Sequence, residues 1–219
     1  MRDISMMYRG SWLFILLVLA LSASAHAESG GYAAISMGVT NNVDFRDQGT
    51  SLAAGLRPAL FAGSTAVNAD EKVAGFKVYG GYELNRNLDI RLGYADLGKY
   101  DFSATDGVDS FDAAMTASAF FLDVVAKMKG ESGWSAWGKL GLVASRAKFE
   151  GVIDGRSLGL YVEASDSYSD VGVSPGVGVA FQLSNDIKII AEIERYLDVG
   201  GEDDIDVDLA TVGIQFKFR

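Results

Sequence analysis

The fold is decided near the C-terminal end of the chain, where residues 171–183 read VGVSPGVGVAFQL. Apolar side chains occupy the odd positions of this stretch, and Gly, Ser, Ala and Gln occupy the even positions. A period of two indicates a β-strand, because successive side chains of a strand point to opposite faces. Residues 209–218, at the end of the chain, repeat the pattern. Both segments are therefore predicted to be strands.

The polar face of these two strands carries only one charged residue, Lys217. In a water-soluble sandwich that face would be rich in charge, whereas small uncharged side chains suit a narrow, crowded interior. We therefore predict strands of a closed membrane barrel whose apolar face turns outward to lipid. Eight segments of the chain show the alternation, at residues 31–39, 75–84, 88–94, 116–128, 134–142, 171–183, 187–196 and 209–218.

The connectors between these segments alternate in length. Short polar turns lie at residues 85–87, 130–133 and 184–186, and the remaining connectors are longer and mostly acidic. The first long connector contains residues 51–61, predicted to form a short helix that Pro58 stops. Short periplasmic turns and long outer loops are typical of outer-membrane barrels. The predicted fold is thus all-β, an eight-stranded antiparallel up-and-down transmembrane β-barrel with both termini in the periplasm.

The first 27 residues have the organisation of a secretory signal peptide. Arg2 and Arg9 give a basic start, residues 12–21 are apolar, and Ala-His-Ala at residues 25–27 matches a cleavage site. A membrane-anchoring helix is the alternative, but it needs roughly 20 apolar residues, about twice the length of this segment. We predict that residues 1–27 are removed and that residues 28–219 form one barrel domain.

The composition restricts the possible functions. The chain has 219 residues, no Cys and a net charge of −10, and cleavage would also remove His26, its only histidine. A secreted domain of this size without disulfides needs another source of stability, which a closed hydrogen-bonded barrel supplies. The acidity argues against nucleic acid as a partner.

Three stretches carry a resemblance to a known family. Residues 76–98 read FKVYGGYELNRNLDIRLGYADLG, residues 176–181 read GVGVAF and residues 212–218 read VGIQFKF. Together they resemble the OmpA-like eight-stranded transmembrane barrels, over essentially the whole predicted mature chain. The resemblance implies architecture rather than activity. No residues remain for the peptidoglycan-binding domain of OmpA, so wall attachment is not expected. Members commonly end on an aromatic residue read by the barrel assembly machinery, which implies Phe216 and Phe218 as the assembly signal, although Arg219 follows here.

The face predicted to line the lumen carries charges of both signs. The basic residues are Lys77, Arg91, Lys127, Lys139, Lys188 and Lys217, and the acidic ones are Glu83, Asp89, Asp123, Glu192 and Glu194. Buried charges persist only when they are paired, and an eight-stranded barrel is just wide enough for its own side chains. We therefore favour a structural charge network over an ion pathway. Its predicted members are Lys77, Arg91, Asp123, Lys139, Glu192 and Glu194.

The sequence predicts no catalytic, cofactor or metal site. The acidic residues 202–206 could hold a divalent cation, but they lack the glycine and terminal glutamate of a calcium loop, so a solvated loop is favoured. Gly-Val-Gly at residues 176–178 is not a nucleotide fingerprint, because the strand continues and no helix follows. The mature chain has neither His nor Cys as a general base or thiol nucleophile, which argues against an enzyme.

These observations lead us to expect an outer-membrane location and leave two functions open. The first is a structural or adhesin-like role, in which acidic outer loops contact an extracellular ligand. The alternative is a narrow channel for ions or small hydrophobic molecules, suggested by apolar residues of the first loop: Leu52, Leu56, Leu60 and Phe61. The expected partners are outer-membrane lipid, lipopolysaccharide and the barrel assembly machinery.

Overall fold

The computed structural model of the protein describes residues 30–61, 65–130, 132–201 and 205–218. The predicted signal peptide lies outside these residues. The described residues form nine strands, one helix and a 3-10 turn at Arg156–Leu158. In chain order the strands and helix are β1 Gly31–Asn41, α1 Val43–Leu60, β2 Ala66–Ala69, β3 Lys72–Glu83, β4 Leu88–Thr105, β5 Ser110–Lys129, β6 Trp134–Gly155, β7 Leu160–Gln182, β8 Ile187–Tyr196 and β9 Val207–Lys217.

Eight of the strands close into an antiparallel ring. β1 pairs with β3 on one side and with β9 on the other, and β4 pairs with both β3 and β5, so the hydrogen-bonded order returns to its start. Closure satisfies the backbone polar groups that a sheet edge would expose to lipid. The predicted eight-stranded barrel is confirmed. β2 is an additional short strand that lies outside the ring and pairs with β4.

The outward side chains of the ring are apolar and exposed. On β1, Ile35, Met37 and Val39 are half or more exposed, whereas Ser36 and Thr40 are buried. The alternation recurs along the other strands, because each step of one residue turns the side chain to the opposite face. A continuous exposed apolar belt is unfavourable in water and favourable against acyl chains. The apolar face therefore points outward, as the sequence predicts.

The apolar belt ends at a row of polar residues. Matching the registers of β4 to β7 gives a last apolar outward row of Tyr94, Phe120, Ala144 and Val171. The next outward row consists of Asp96, Ser118, Arg146 and Ser169. This polar row marks one boundary of the belt. The other boundary lies near the three short turns, where the rings of Trp134 and Phe181 lie in tilted contact with centroids 5.0 Å apart.

Two of the predicted long connectors are mostly strand. β4 continues to Thr105 before β5 starts at Ser110, and β6 continues to Gly155 before β7 starts at Leu160. Beyond the polar row the outward face becomes polar, so the apolar outward positions that mark the membrane strands are absent there. The structure therefore shortens these connectors to tight turns. Beyond the polar row, β4 up to Thr105, β5 from Ser110, β6 up to Gly155 and β7 from Leu160 form a four-stranded sheet. We call it the projecting sheet.

The helix α1 is longer than the predicted short helix. It begins at Val43 and ends at Leu60, two residues past Pro58. Proline removes one hydrogen bond of the helix ladder, but Phe61 N–H still donates to the carbonyl of Arg57 at 3.2 Å. Ala53 and Leu60 are buried, so tertiary packing stabilises the helix. Among the described residues, no helix has the length and apolar character needed to cross a membrane.

Candidate functional site

The structure brings the six predicted network residues together inside the ring. They lie on five strands, β3, β4, β5, β6 and β8, and all are buried. Each occupies an inward position of its strand, and the neighbouring outward positions hold mostly apolar side chains, with Arg195 beside Glu194 as an exception. The six residues are Lys77, Arg91, Asp123, Lys139, Glu192 and Glu194. We call them the lumen network.

Glu192 lies at the centre of the lumen network. Its Oε1 accepts a hydrogen bond from Lys77 Nζ at 2.6 Å, and its Oε2 accepts one from Arg91 Nη1 at 2.8 Å. Trp137 Nε1 also donates to Oε2, at 2.9 Å. Two cations and an indole thus compensate one buried carboxylate, which is the condition under which a buried charge is stable.

Lys139 joins the other two carboxylates to Glu192. Its Nζ lies 3.0 Å from Asp123 Oδ2, 3.8 Å from Glu192 Oε1 and in close contact with Glu194 Oε2. Lys77 Nζ lies 2.5 Å from Glu194 Oε1. The lumen network therefore contains three cations and three carboxylates, and its charges balance.

Inward glycines make room for the long side chains. Gly176 faces Lys139 on β6 and Glu194 on β8 in the paired register. A Cβ at Gly176 would lie 2.8 Å from Lys139 Cε and 2.9 Å from Glu194 Cβ, closer than real contacts allow. Gly178 similarly lies directly beneath the Trp137 ring. The small residues of the inner face therefore permit cross-lumen contacts.

Aromatic rings surround the cations of the lumen network. The Arg91 guanidinium lies 5.1 Å from the Tyr79 ring centroid and 5.0 Å from that of Trp137. Lys77 Nζ lies 4.8 Å from the Phe121 centroid. These are cation–π distances, and the rings also occupy space that water would otherwise fill. No pattern in the sequence indicates the hydrogen bond from Trp137 to Glu192.

A second charged cluster lies at the short-turn end of the ring. Lys127 Nζ lies 3.1 Å from Glu83 Oε1 and also contacts Asp89. Lys217 Nζ lies 2.8 Å from Glu83 Oε2. Tyr32 hydroxyl donates to Asp89 at 3.0 Å and accepts from Arg91 Nε at 3.1 Å, which links this cluster to the lumen network. Ten of the eleven predicted inward charges therefore form two connected layers, and Lys188 belongs to neither.

The opposite end of the lumen is filled by apolar side chains. α1 contributes Ala53 and Leu60, and Phe61 follows it. The connector between β8 and β9 contributes Val199 and Ile205. The strands contribute inward residues that are all fully buried: Leu97, Tyr100, Phe102, Met115, Val143 and Leu209. Burial raises the pKa of Tyr100 to about 12, so its hydroxyl stays protonated at neutral pH. We call this layer the outer cap.

The described residues offer no metal centre. They contain no group of three or more His, Asp, Glu or Cys side chains arranged to hold a metal ion. Of the acidic residues 202–206, residues 202–204 lie outside the part of the chain that the structure describes. The buried Asp109 instead accepts hydrogen bonds from Ser157 N at 2.9 Å and Ser157 Oγ at 2.5 Å, which joins the two outer turns of the projecting sheet.

The two residues predicted as the assembly signal lie at the end of the last strand. Phe216 is an outward residue of β9 opposite Ala33 and Ile187. Phe218 follows β9, and its N–H donates to the carbonyl of Gly31 at 2.8 Å. Both residues therefore lie where the first and last strands join and the ring closes.

Comparisons with known proteins agree with this architecture. Residues 13–218 match the family described as "Outer membrane protein beta-barrel domain". Neisserial surface protein A (NspA) has a similar structure, with a TM-score of 0.51 at 13% identity over 87% of this chain and 98% of that chain. The attachment invasion locus protein Ail of Yersinia pestis gives a TM-score of 0.47 at 17% identity, over 87% of this chain and 100% of that one.

OprG of Pseudomonas aeruginosa also gives a TM-score of 0.47, at 12% identity over 87% of this chain and 97% of that one. No curated protein sequence matches the chain. At such identities the structural likeness concerns the fold alone, whereas the sequence match spans nearly the whole chain. The protein is therefore a member of the family of outer-membrane β-barrel proteins, located in the outer membrane.

Proposed function

We propose that this protein is a closed barrel that anchors the projecting sheet at the cell surface as an interaction module. The observation that carries the proposal is the filled lumen. The lumen network and the cluster at Glu83 occupy the ring up to its short-turn end, and the outer cap occupies the opposite end. The role is non-enzymatic, since the chain has no Cys and its single His lies in the predicted signal peptide.

A channel would require the side chains of the lumen network, of the cluster at Glu83 and of the outer cap to move apart. Ions would have to pass three buried cation–carboxylate contacts at Lys77, Arg91 and Lys139, and removing one partner of a buried ion pair costs about 3–5 kcal/mol. Two of the apolar first-loop residues that suggested a channel for hydrophobic molecules, Leu60 and Phe61, support closure instead, because they are buried in the outer cap, whereas Leu52 is exposed. An eight-stranded ring also holds little beyond its own side chains.

The projecting sheet supplies a surface for contact outside the membrane. From Ser169, in the polar row, back to Leu160, β7 continues for ten residues, which corresponds to about 30 Å of extended chain. The outward face of the projecting sheet carries charged side chains with exposed ion pairs, such as Lys148 with Glu150 at 2.6 Å on β6. Two of the four longer connectors predicted from the sequence therefore become an ordered, charged sheet.

This function requires the three short turns and both termini to lie in the periplasm. Leu158, at the tip of the projecting sheet, is 62% exposed, and Asn185 is exposed in a short turn. Because the chain has no Cys, Leu158→Cys and Asn185→Cys each introduce a single thiol. A membrane-impermeant maleimide should label intact cells of the first variant only. Labelling at position 185 but not at 158 would reverse the orientation.

Conductance tests the closed lumen. The purified protein in a planar bilayer should show no steady pore, because side chains fill all three layers. A large, steady and weakly selective conductance would overturn the closed barrel and favour the channel. The proposal also includes lipid and lipopolysaccharide around the apolar belt, and recognition of Phe216 and Phe218 by the barrel assembly machinery.

A further inference from the structure

The outer part of β7 has a free edge. β7 pairs with β6 along its whole length, from Leu160 opposite Gly155 to Phe181 opposite Trp134. Its pairing with β8 covers only the far end, starting at Gly176 opposite Glu194. Pro175 precedes that point and has no N–H to donate, which explains why the ladder stops there. Leu197 N–H reaches Val173 O at 3.1 Å, and beyond this bond no described strand pairs with this side of β7.

The two edges of the projecting sheet are treated differently. On the β4 edge, β2 pairs with Phe102 to Thr105, and Asp70 N–H donates to the carbonyl of Asp101 at 2.9 Å. The short strand β2 therefore covers the outer edge of β4. Nothing comparable among the described strands covers β7. Unpaired edges invite pairing with other chains, so proteins usually protect them.

Most of the usual protective devices are absent from this edge. Exposed edges are normally protected by short length, charged side chains and especially lysine, proline or a bulge. Residues 160–170 read LYVEASDSYSD, without Lys or Pro, and the β6–β7 register contains no shift, so the edge carries acidic side chains but no other such device. Here the strand is long and regular, and small side chains such as Ala164 and Ser165 leave the backbone accessible.

The strand alternation identifies which backbone groups face outward from the edge. Gln182 N–H donates toward β6, to Gly133 O, whereas Leu183 N–H donates toward β8, to Ile187 O. Val173 O, also odd-numbered, accepts from Leu197 on the β8 side. With no register shift, the N–H and C=O groups of Tyr161, Glu163, Ser165 and Ser167 therefore point to the free edge.

A side-chain contact supports this assignment. Ser167 N–H donates to Asp166 Oδ1 at 2.8 Å, so it is not used by β6. Tyr161, Glu163 and Ser165 present donors and acceptors without such a local bond among the described residues.

The charge of the edge is acidic and uncompensated. Glu163, Asp166 and Asp170 lie within the free segment, and in the described part of the chain none has a basic side chain within ion-pair distance. On the neighbouring β6, Lys148 is paired with Glu150, and Arg146 donates to Ser167 Oγ at 3.4 Å. An incoming strand would therefore meet three carboxylates that lack a counter-charge. Opposite charges across neighbouring strands stabilise pairing.

We propose that the β7 edge, residues 160–170, binds an extended polypeptide segment rich in Lys or Arg by adding it as a further strand of the projecting sheet. This inference rests on the proposed function, since it requires the sheet to be accessible outside the membrane. Backbone hydrogen bonds to the odd-numbered residues supply the pairing, and the three carboxylates select basic side chains. Polyanions are disfavoured by the same carboxylates.

The test uses the full barrel in nanodiscs of zwitterionic phospholipid. The probe is a short fluorescent peptide in which threonine alternates with lysine. One control peptide carries N-methyl groups on alternate residues, so it keeps the charge but loses the edge-pairing N–H groups. A second control replaces lysine with glutamate. Binding is followed by fluorescence anisotropy, with empty nanodiscs as background, and the site is located by amide hydrogen exchange.

The lysine peptide should bind and slow the exchange of the Glu163 and Ser165 amides, while the even-numbered amides of Ala164 and Asp166, already paired with β6, should change little. The N-methylated peptide should bind at least about ten-fold more weakly, because several backbone hydrogen bonds are lost. Ser165→Pro removes one edge-facing N–H and should weaken binding by roughly five-fold or more. Ser165→Ala, which keeps that N–H, should bind as the parent does.

Three results would overturn the inference: no binding of the lysine peptide to the parent barrel, equal binding of its N-methylated form, or unchanged binding by Ser165→Pro. The folded state of each variant is checked by the mobility shift between boiled and unboiled samples. Surface labelling at position 158 reports separately on the proposed function. If labelling succeeds and the peptide fails, the sheet is exposed but β7 does not accept a strand.

Discussion

Replacing Lys139 by methionine is the most direct test of the lumen network. Lys139 Nζ lies 3.0 Å from Asp123 Oδ2 and also contacts Glu194, and its side chain is fully buried. Methionine keeps most of the length of the side chain and removes only the charge, so the change creates little cavity. After the change the network would hold two cations against three carboxylates.

The size of the effect follows from the contacts that remain. At 3.0 Å and an effective dielectric constant of 20, the Lys139–Asp123 attraction is about 5.5 kcal/mol before desolvation is considered. Glu194 keeps Lys77 at 2.5 Å, but Asp123 keeps no cation within ion-pair distance among the described residues. Lys139→Met should therefore lower the free energy of unfolding by about 3–5 kcal/mol.

The measurement is urea unfolding of the barrel from lipid vesicles, followed by tryptophan fluorescence. Lys148→Met is the matched control, because Lys148 pairs with Glu150 at 2.6 Å with both side chains about half exposed, and such a pair contributes at most about 1 kcal/mol. Adding Asp123→Asn to Lys139→Met removes the orphaned charge and should recover about 1–3 kcal/mol. The reasoning is refuted if Lys139→Met costs no more than the control, or if the second change destabilises the barrel further.

Two further changes test the packing of the lumen and the closure of the ring. Gly178→Ala places a methyl group against the Trp137 ring and should destabilise the barrel by about 1–3 kcal/mol in the same unfolding assay. Gly138→Ala, with open space around the new Cβ, should be close to neutral, and equal effects would contradict the packing argument. Phe218→Ser should lower the fraction of heat-modifiable, folded protein in the outer membrane. Full folding of that variant would show that Phe218 is not the assembly signal.

The inward residues could be predicted because strand alternation has only two outcomes. Once the apolar face was assigned to lipid, Lys77, Arg91 and Glu192 had to point inward. The same reasoning identified eight strands and the three short turns, because polar stretches of three or four residues interrupt the alternation abruptly. In these segments local sequence and membrane environment impose the same pattern.

The pairing within the network could not be predicted from the sequence. Arg91 lies directly opposite Asp123 in the β4–β5 register, which suggests an ion pair between neighbouring strands. Instead the Arg91 guanidinium reaches Glu192 across the lumen, and Asp123 accepts from Lys139. The choice depends on the curvature of the ring and on the rings of Tyr79 and Trp137 beside Arg91, neither of which the sequence specifies.

The projecting sheet could not be predicted from the sequence for a different reason. Beyond the polar row, lipid no longer selects apolar outward residues, and residues 165–170 contain no aliphatic side chain. Strand formation there depends on pairing with β6, because all 22 residues of β6 lie opposite residues of β7. Context of this kind decides β-structure more often than the propensity of one segment does.

One residue nevertheless carries information about the free edge. Pro175 lies in a run that otherwise alternates like a central strand, yet proline within a sheet is confined to edges, strand ends and bulges. The odd-numbered residues of β7 direct their backbone groups toward β8, so the missing N–H of Pro175 lies where the β7–β8 ladder would continue. The position of this proline therefore predicts that pairing with β8 ends at Gly176. Because β7 itself continues beyond Pro175, its residues before Val173 pair with a described strand on only one side.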